Sequence, residues 1–449
     1  VQAKEENASV TDLARSPALD YDVIIIGGGP AGLMAAIAAR EEGAKTLLVD
    51  KGERLGRKLA ISGGGRCNVT NNKPLPELMA NIPGNPKFLY SALTKFGSPD
   101  ITQFFERLGI RLKEEDHGRV FPVSDKASTV VNVMVERVYA LGCEVWLNRP
   151  VVGLMASETG MAVKFEADMV RWTRAVVIAA GGSSVPQTGS TGDAYPWAKA
   201  LGHRIVAPYP TAVPLTSQSW FITQSSLKGI SLRETTLSLW SEGSKRPLAQ
   251  EQGDVLFSHF GLTGPAALRL SHFVSTALRA DPAAKLRASI DTVPGLTADE
   301  MLLRLSERRR VDGKKRLETI LESWVPARMA TVLLIESGLD GHQVSGEVSG
   351  KALQSLVQHA KGLSLSITGT LPLEKATVTG GGVSVQDIAP ATMASKRCPG
   401  LYFCGEVIDV HAHTGGYNIT VAFSTGHLAG QSAAHYALAL PAPHLIDSQ

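Results

Sequence analysis

The sequence predicts an α/β fold built on a parallel, dinucleotide-binding core that is discontinuous along the chain. Three observations predict it. Residues 22–51 read as strand, glycine turn, helix and strand. A middle stretch from about 196 to 369 departs from that alternation, first into short β-like runs and then into charged helical faces. Beyond it, over 400–438, an apolar strand, a glycine turn and a helix return.

Each element follows from residue order. DVIIIGGGPAGLMAAIAAREEGAKTLLVDK is a β-branched run, a turn, an Ala-rich helix and a second apolar run, the pattern of a βαβ unit. Further strands are expected at Glu144–Leu147 and at Arg174–Ala179, which runs into Gly181-Gly182. Runs such as TTLSLW, DVLFSHF and KLRASI, separated by turn signals, mark a β-rich insertion over 196–296 and 362–369. Residues 297–361 turn helical, with charged faces, and read as a small helical domain. Strand character comes back at Lys375–Val385 and Gly400–Cys404, and a helix is expected from Ile419 to Leu438. The dinucleotide-binding core then takes 21–195 and 370–449, while the polar residues 1–20 form a loose tail with no signal-peptide pattern.

Composition narrows the partners. The 45 Lys plus Arg against 42 Asp plus Glu leave +3, too weak an excess to imply nucleic acid or an anionic membrane surface, so a small-molecule substrate is expected. Cys67, Cys143, Cys398 and Cys404 show no CxxC spacing and no disulfide density, which favours a reducing, cytoplasmic compartment. No stretch approaches the length of an apolar membrane span, and no His/Cys/Asp cluster has metal-ligand spacing.

The chemistry concentrates in glycine turns. Gly27-x-Gly29-x-x-Gly32 follows a strand and opens a helix: Gly27 permits the tight turn, Gly29 lets backbone approach a pyrophosphate, and Gly32 allows close helix–strand packing. The helix N-terminus offers N–H groups and a positive dipole end to the phosphates, and Asp50 suits ribose hydroxyls. Next comes GRKLAISGGGRCN, whose consecutive glycines form an anion-binding concavity to which Lys58 or Arg66 adds charge; taken alone, it also reads as a solvated loop. Near the C-terminus, HTGGYN precedes a helix. A helix start there aims N–H groups at an isoalloxazine ring that gains negative charge on reduction, or merely caps a C-terminal helix.

With these residues in view, the chain resembles the YhiN-like (BaiN/RdsA-type) flavoproteins, predicted NAD(P)/FAD-dependent oxidoreductases. The resemblance spans Tyr21 to Gly430. It rests on IIIGGGPAGLMAA, GRKLAISGGGRCNVTN, TGSTGDAY, FSHFGLTGPA, and VTGGGVSV followed by LYFCGEVIDV and HTGGYN. It implies a discontinuous Rossmann-like FAD-binding domain interrupted by a β-barrel-like domain and a small helical domain. It also implies cofactor contacts at Gly27, Gly29, Ala31, Gly32, Asp50, Lys51, Lys58, Ser62, Gly64, Arg66, Val152, Ala180, Gly181, Gly405, Glu406, Gly416, Asn418 and Ile419. The family's loop before TGGYN often holds acidic residues or glycine where this chain has His411, Ala412 and His413.

Gly380-Gly381-Gly382 is followed by VSVQDI and Pro390 rather than a helix, so it is no second fingerprint, and NAD(P)H as reductant would enter the substrate cleft transiently. His411 and His413 read either as proton donors beside the flavin or as solvated loop histidines. Cys67 reads as a buried inert thiol, and the run Arg308–Arg310 with Lys314–Arg316 as a solvated helical face. The expected activity is that of an FAD-dependent oxidoreductase. Its substrate is expected to be a small organic molecule held between the flavin and the inserted domain, with reduction of an activated C=C bond one candidate; RNA modification or a flavin sensor are the alternatives.

Overall fold

The computed structural model describes residues 19–440. The expected tail over 1–20 lies outside the described residues apart from Leu19 and Asp20, and Asp20 is tied into the fold through Trp172, whose N–H donates to its carboxylate at 2.8 Å. The chain forms two compact units, one made of residues up to Pro208 and from Gly381 onward, the other of Tyr209–Gly380.

In the first unit the strand Tyr21–Ile26 lies at the centre of a parallel sheet. Thr46–Val49 and then Glu144–Trp146 stand on one side of it, and Val170–Ile178 on the other. That last strand is shared along its length: its first half pairs antiparallel with Met161–Phe165, its second half parallel with Leu401–Phe403. The chain end thus completes the sheet that the chain start begins. Buried, largely apolar runs such as VIII and TLLV suit this position because both sheet faces are covered. The helix Pro30–Glu41 starts with proline at its first position, which needs no N–H there. It packs on the 23-residue helix Tyr417–Ala439 with unusual closeness: a Cβ on Gly426 or Gly430 would lie 2.3 Å from the Ala31 carbonyl oxygen or 2.2 Å from that of Ala35. A small antiparallel sheet, Thr70–Asn71 with Arg119–Pro122 and Leu112–Glu115, adds to this unit.

The second unit holds a seven-stranded antiparallel sheet that starts with Leu363–Ile367 and ends with Gly369–Thr370. Only Thr368 separates those two in sequence, so the sheet's two ends are one interrupted strand and the sheet closes on itself as a barrel. Helix Pro265–Ala280 lays Ala266, Ala267, Leu270 and Val274 into the core of this unit. The helices between 298 and 361, expected as a small domain, contribute Met301, Leu305, Leu333 and Leu356 to the same apolar cluster as Leu237 and Ile290 of the barrel. The fold is thus a Rossmann-type α/β domain carrying a β-barrel-like insertion with helices. Among the described residues no helix is long and apolar enough to cross a membrane.

Candidate functional site: a cradle of glycine turns

The first turn behaves as its glycines require. Gly27 has φ +107°, and a Cβ there would lie 2.9 Å from the Ala180 Cα; a Cβ on Gly32 would lie 1.8 Å from the Gly27 carbonyl oxygen. Gly29 differs. A Cβ on it would meet nothing within 4 Å, so the space in front of this helix start is open, as a ligand-binding helix start requires. Asp50 anchors the turn, accepting from the Gly28 and Gly52 N–H groups at 2.7 Å each. Around it gather Gly181 (φ +74°) and Gly405, whose own Cβ would touch the Ala31 methyl at 2.8 Å. Lys58 ties the glycine loop to this cluster, bonding Glu406 at 2.6 Å and Ser184 at 2.9 Å.

The three cations expected to contact the cofactor all have carboxylate partners within the chain. Lys51 pairs with Asp193, Lys58 with Glu406, and Arg66 with Glu115 and Asp125. Arg66 also stacks over the Phe121 ring, 4.2 Å from its centroid. It serves as a latch between the glycine loop and the small sheet. Hydrogen bonds from Arg66 and Lys113 hold the Glu115 carboxyl below its usual range, and those from Lys113 and Arg66 do the same for Asp125. Gly64 and Gly65, at φ +68° and +87°, face open space. Ser62 donates to the Leu59 carbonyl at 2.7 Å, and Val152 stands exposed on the strand Val151–Ala156. Cys67 is fully buried at φ +60°, and burial pushes its thiol up to about 12.

The second turn lies at the start of the C-terminal helix. Gly416, at φ +97°, stands where a Cβ would meet the Thr70 carbonyl oxygen at 2.6 Å and Asn68 Oδ1 at 2.8 Å. Alanine at 416 is consequently a severe change. The first bond of the helix runs from the Thr420 N–H to the Gly416 carbonyl, so by helix geometry the N–H groups of Tyr417, Asn418 and Ile419 have no acceptor within the helix. Asn418 spends its side chain on the preceding loop: Oδ1 accepts from the Ala412 N–H at 2.9 Å, and Nδ2 donates to the carbonyls of Ala412 and His413 at 2.8 and 3.1 Å. That loop carries His411 and His413, which are 3% and 9% exposed and so are not solvated loop histidines. His411 lies against Gly84, where a Cβ would fall 2.3 Å from its Nδ1, and the His413 N–H donates to the Asn81 carbonyl at 2.9 Å.

Asn68, Thr70, Ser184 and Gly84 were not among the expected site residues. The first two belong to the NVTN tail of the glycine-loop motif, a signal present in the sequence. Ser184 and Gly84 leave none, since their partners Lys58 and His411 lie more than a hundred residues away. Taken together, an open helix start, an acidic anchor after the second strand and a second helix start beside a buried unpartnered amide oxygen fit FAD.

Residues 21–432 match the HI0933-like protein Rossmann domain. The ribosomal RNA dihydrouridine synthase of Escherichia coli is 30% identical over 425 residues, covering 92% of this chain and 97% of that protein. The 3-dehydro-bile acid delta(4,6)-reductase of Clostridium scindens is 27% identical over 412 residues, covering 91% and 98%. Among solved structures, the 3-ketosteroid delta1-dehydrogenase of Sterolibacterium denitrificans superposes with a TM-score of 0.50 at 14% identity, covering 92% of this chain and 99% of that one, a likeness of fold. The chain belongs to the HI0933-like Rossmann family, the YhiN-like (BaiN/RdsA-type) flavoproteins, and is an FAD-dependent oxidoreductase.

Proposed function

We propose that this protein saturates a carbon–carbon double bond conjugated to a carbonyl in a small organic substrate, with NAD(P)H as the electron source. The observation that carries the reading is the pairing of a helix start at Gly416 with two buried histidines on the loop that Asn418 clamps to that helix. FAD, when bound, supplies the hydride. The chain supplies the rest: the helix start offers partial positive charge where the ring becomes anionic, and His411 or His413 holds, on an imidazole nitrogen, the proton destined for the carbon next to the carbonyl. Hydride at one carbon and proton at the other balance the reduction. The names of the relatives support it, since dihydrouridine synthesis and delta(4,6) reduction both saturate a conjugated double bond. The test is anaerobic: protein reduced with NADPH or NADH is mixed with a panel of enones, and flavin reoxidation is followed. Reoxidation with product formation is expected. His411→Asn or His413→Asn should slow it by about 100-fold with FAD retained. A panel that never reoxidises the flavin refutes the reading.

A second reading keeps the chemistry and makes the double bond that of uracil in RNA. The near-neutral total hides a local excess: residues 304–316 hold seven Lys and Arg against two carboxylates, while the whole chain nets only +3. Asp312 pairs with Arg308 and Lys315, and Arg309, Arg310, Lys314 and Arg316 have no ion-pair partner among the described residues. Retention on RNA that weakens steeply with salt and is lost in Arg309→Glu/Arg310→Glu supports this reading; no retention at moderate salt removes it.

A further inference from the structure

Asn68 is 7% exposed, and its Oδ1 is fully buried without a hydrogen-bond partner. Nor does Nδ2 bond to any described residue. A buried amide left in that state costs about 1–3 kcal/mol, so a side chain fixed there points to a partner outside the chain. And it is fixed. Cys67 before it adopts φ +60° and donates its N–H to the Ser62 carbonyl at 3.0 Å; Val69 after it donates to the Val120 carbonyl at 2.8 Å. Thr70 is held through its hydroxyl by Ser98 at 3.0 Å and by Thr420 of the C-terminal helix at 2.8 Å. These contacts fix the backbone on both sides of the carboxamide.

Its position names the partner's chemistry. Asn68 Oδ1 lies beside Gly416, the residue that starts the helix, so an acceptor and a donor from one amide stand next to a row of helix N–H groups. Of the parts of FAD, the isoalloxazine alone carries an N–H flanked by carbonyls, an imide edge that an asparagine matches with one accepted and one donated bond. Adenine also pairs with asparagine, but the adenosine end is claimed by Asp50 at the other turn. We infer that Asn68 recognises the imide edge of the flavin ring and positions the ring against the start of the C-terminal helix. The inference rests on the placement of FAD proposed for the two turns.

The experiment uses the full-length protein stripped of flavin and titrated with FAD and with 3-methyl-FAD, in which the imide N–H is replaced by N–CH3. Wild type is expected to bind FAD about tenfold or more tighter than the methylated analogue. Asn68→Ala should weaken FAD binding and bring the two ligands within about twofold, because the variant has nothing left to read. ADP, which carries no isoalloxazine ring, should bind wild type and variant alike, showing that the fold and the other turn are intact. Equal affinity of wild type for both flavins, or an Asn68→Ala that loses FAD, 3-methyl-FAD and ADP in the same proportion, would overturn the inference. If wild type takes up neither flavin, the cofactor placement itself falls.

Discussion

Gly29 and Gly32 stand three residues apart and answer to different masters. Gly29 has ordinary extended backbone (φ −75°) and open space around its missing Cβ, so Gly29→Ala should leave the flavin-free melting temperature within a degree or two. FAD affinity should nonetheless fall, by about tenfold, or ~1.4 kcal/mol, because the methyl occupies the phosphate's approach. Gly32→Ala reverses the pattern: its methyl overlaps the Gly27 carbonyl, and the flavin-free protein should lose about 1–3 kcal/mol. Thermal melts of both stripped variants beside FAD titrations separate the two; similar behaviour would mean that neither glycine's role is understood. At this scale the sequence shows which glycines matter, because the turn they make is local. It does not show that Lys51, Lys58 and Arg66 are matched by carboxylates, since Glu406 stands 348 residues from Lys58. Charge next to glycine suggested phosphate; the carboxylates that also pair with Lys58 and Arg66 come from elsewhere in the chain.

The C-terminal helix is the element that organises the candidate site, and Asn418 is where it grips the histidine loop. Asn418→Ala removes three hydrogen bonds and leaves buried carbonyls unpaired, a cost of about 1–3 kcal/mol. Hydrogen exchange should speed up in 409–416 while the central strands keep their protection; unchanged exchange in that loop would show that other contacts hold it. The central strands of the parallel sheet were legible because their faces are buried and they carry unbroken apolar runs such as VIII and AVVI. Those of the small sheet were not: Leu112–Glu115 reads LKEE, and its partner Arg119–Pro122 ends in proline, so neither carries a strand's composition. Yet this sheet holds Phe121 under Arg66 and so fixes the glycine loop.

For the molecule as a whole, buried histidines set the acid limit. Burial holds His203, His272 and His427 below the ordinary histidine value, His272 at about 4, while His427 stacks flat on Phe96 with ring centres 4.2 Å apart. The unfolded chain protonates its histidines near 6.5, so from there down to about 4 it binds more protons than the folded one. Stability is therefore complete above pH 6.5 and is lost as pH falls; His272 alone accounts for at most about 3 kcal/mol. Melting temperatures between pH 7.5 and 4.5 should drop by several degrees, and His272→Gln should flatten part of that slope; an unaltered slope in the variant would exclude His272 from it. The insertion has a different consequence, in time. Translation delivers the strand Val170–Ile178 long before Leu401–Phe403, the strand that covers its edge, with the whole of Tyr209–Gly380 made in between. At about 5–20 residues per second the gap is roughly ten to forty seconds. During it the contiguous barrel can close while the half-built parallel sheet waits with an open edge on the ribosome. The growing chain most needs a chaperone at that edge, and the candidate site is incomplete until the helix Tyr417–Ala439 has emerged.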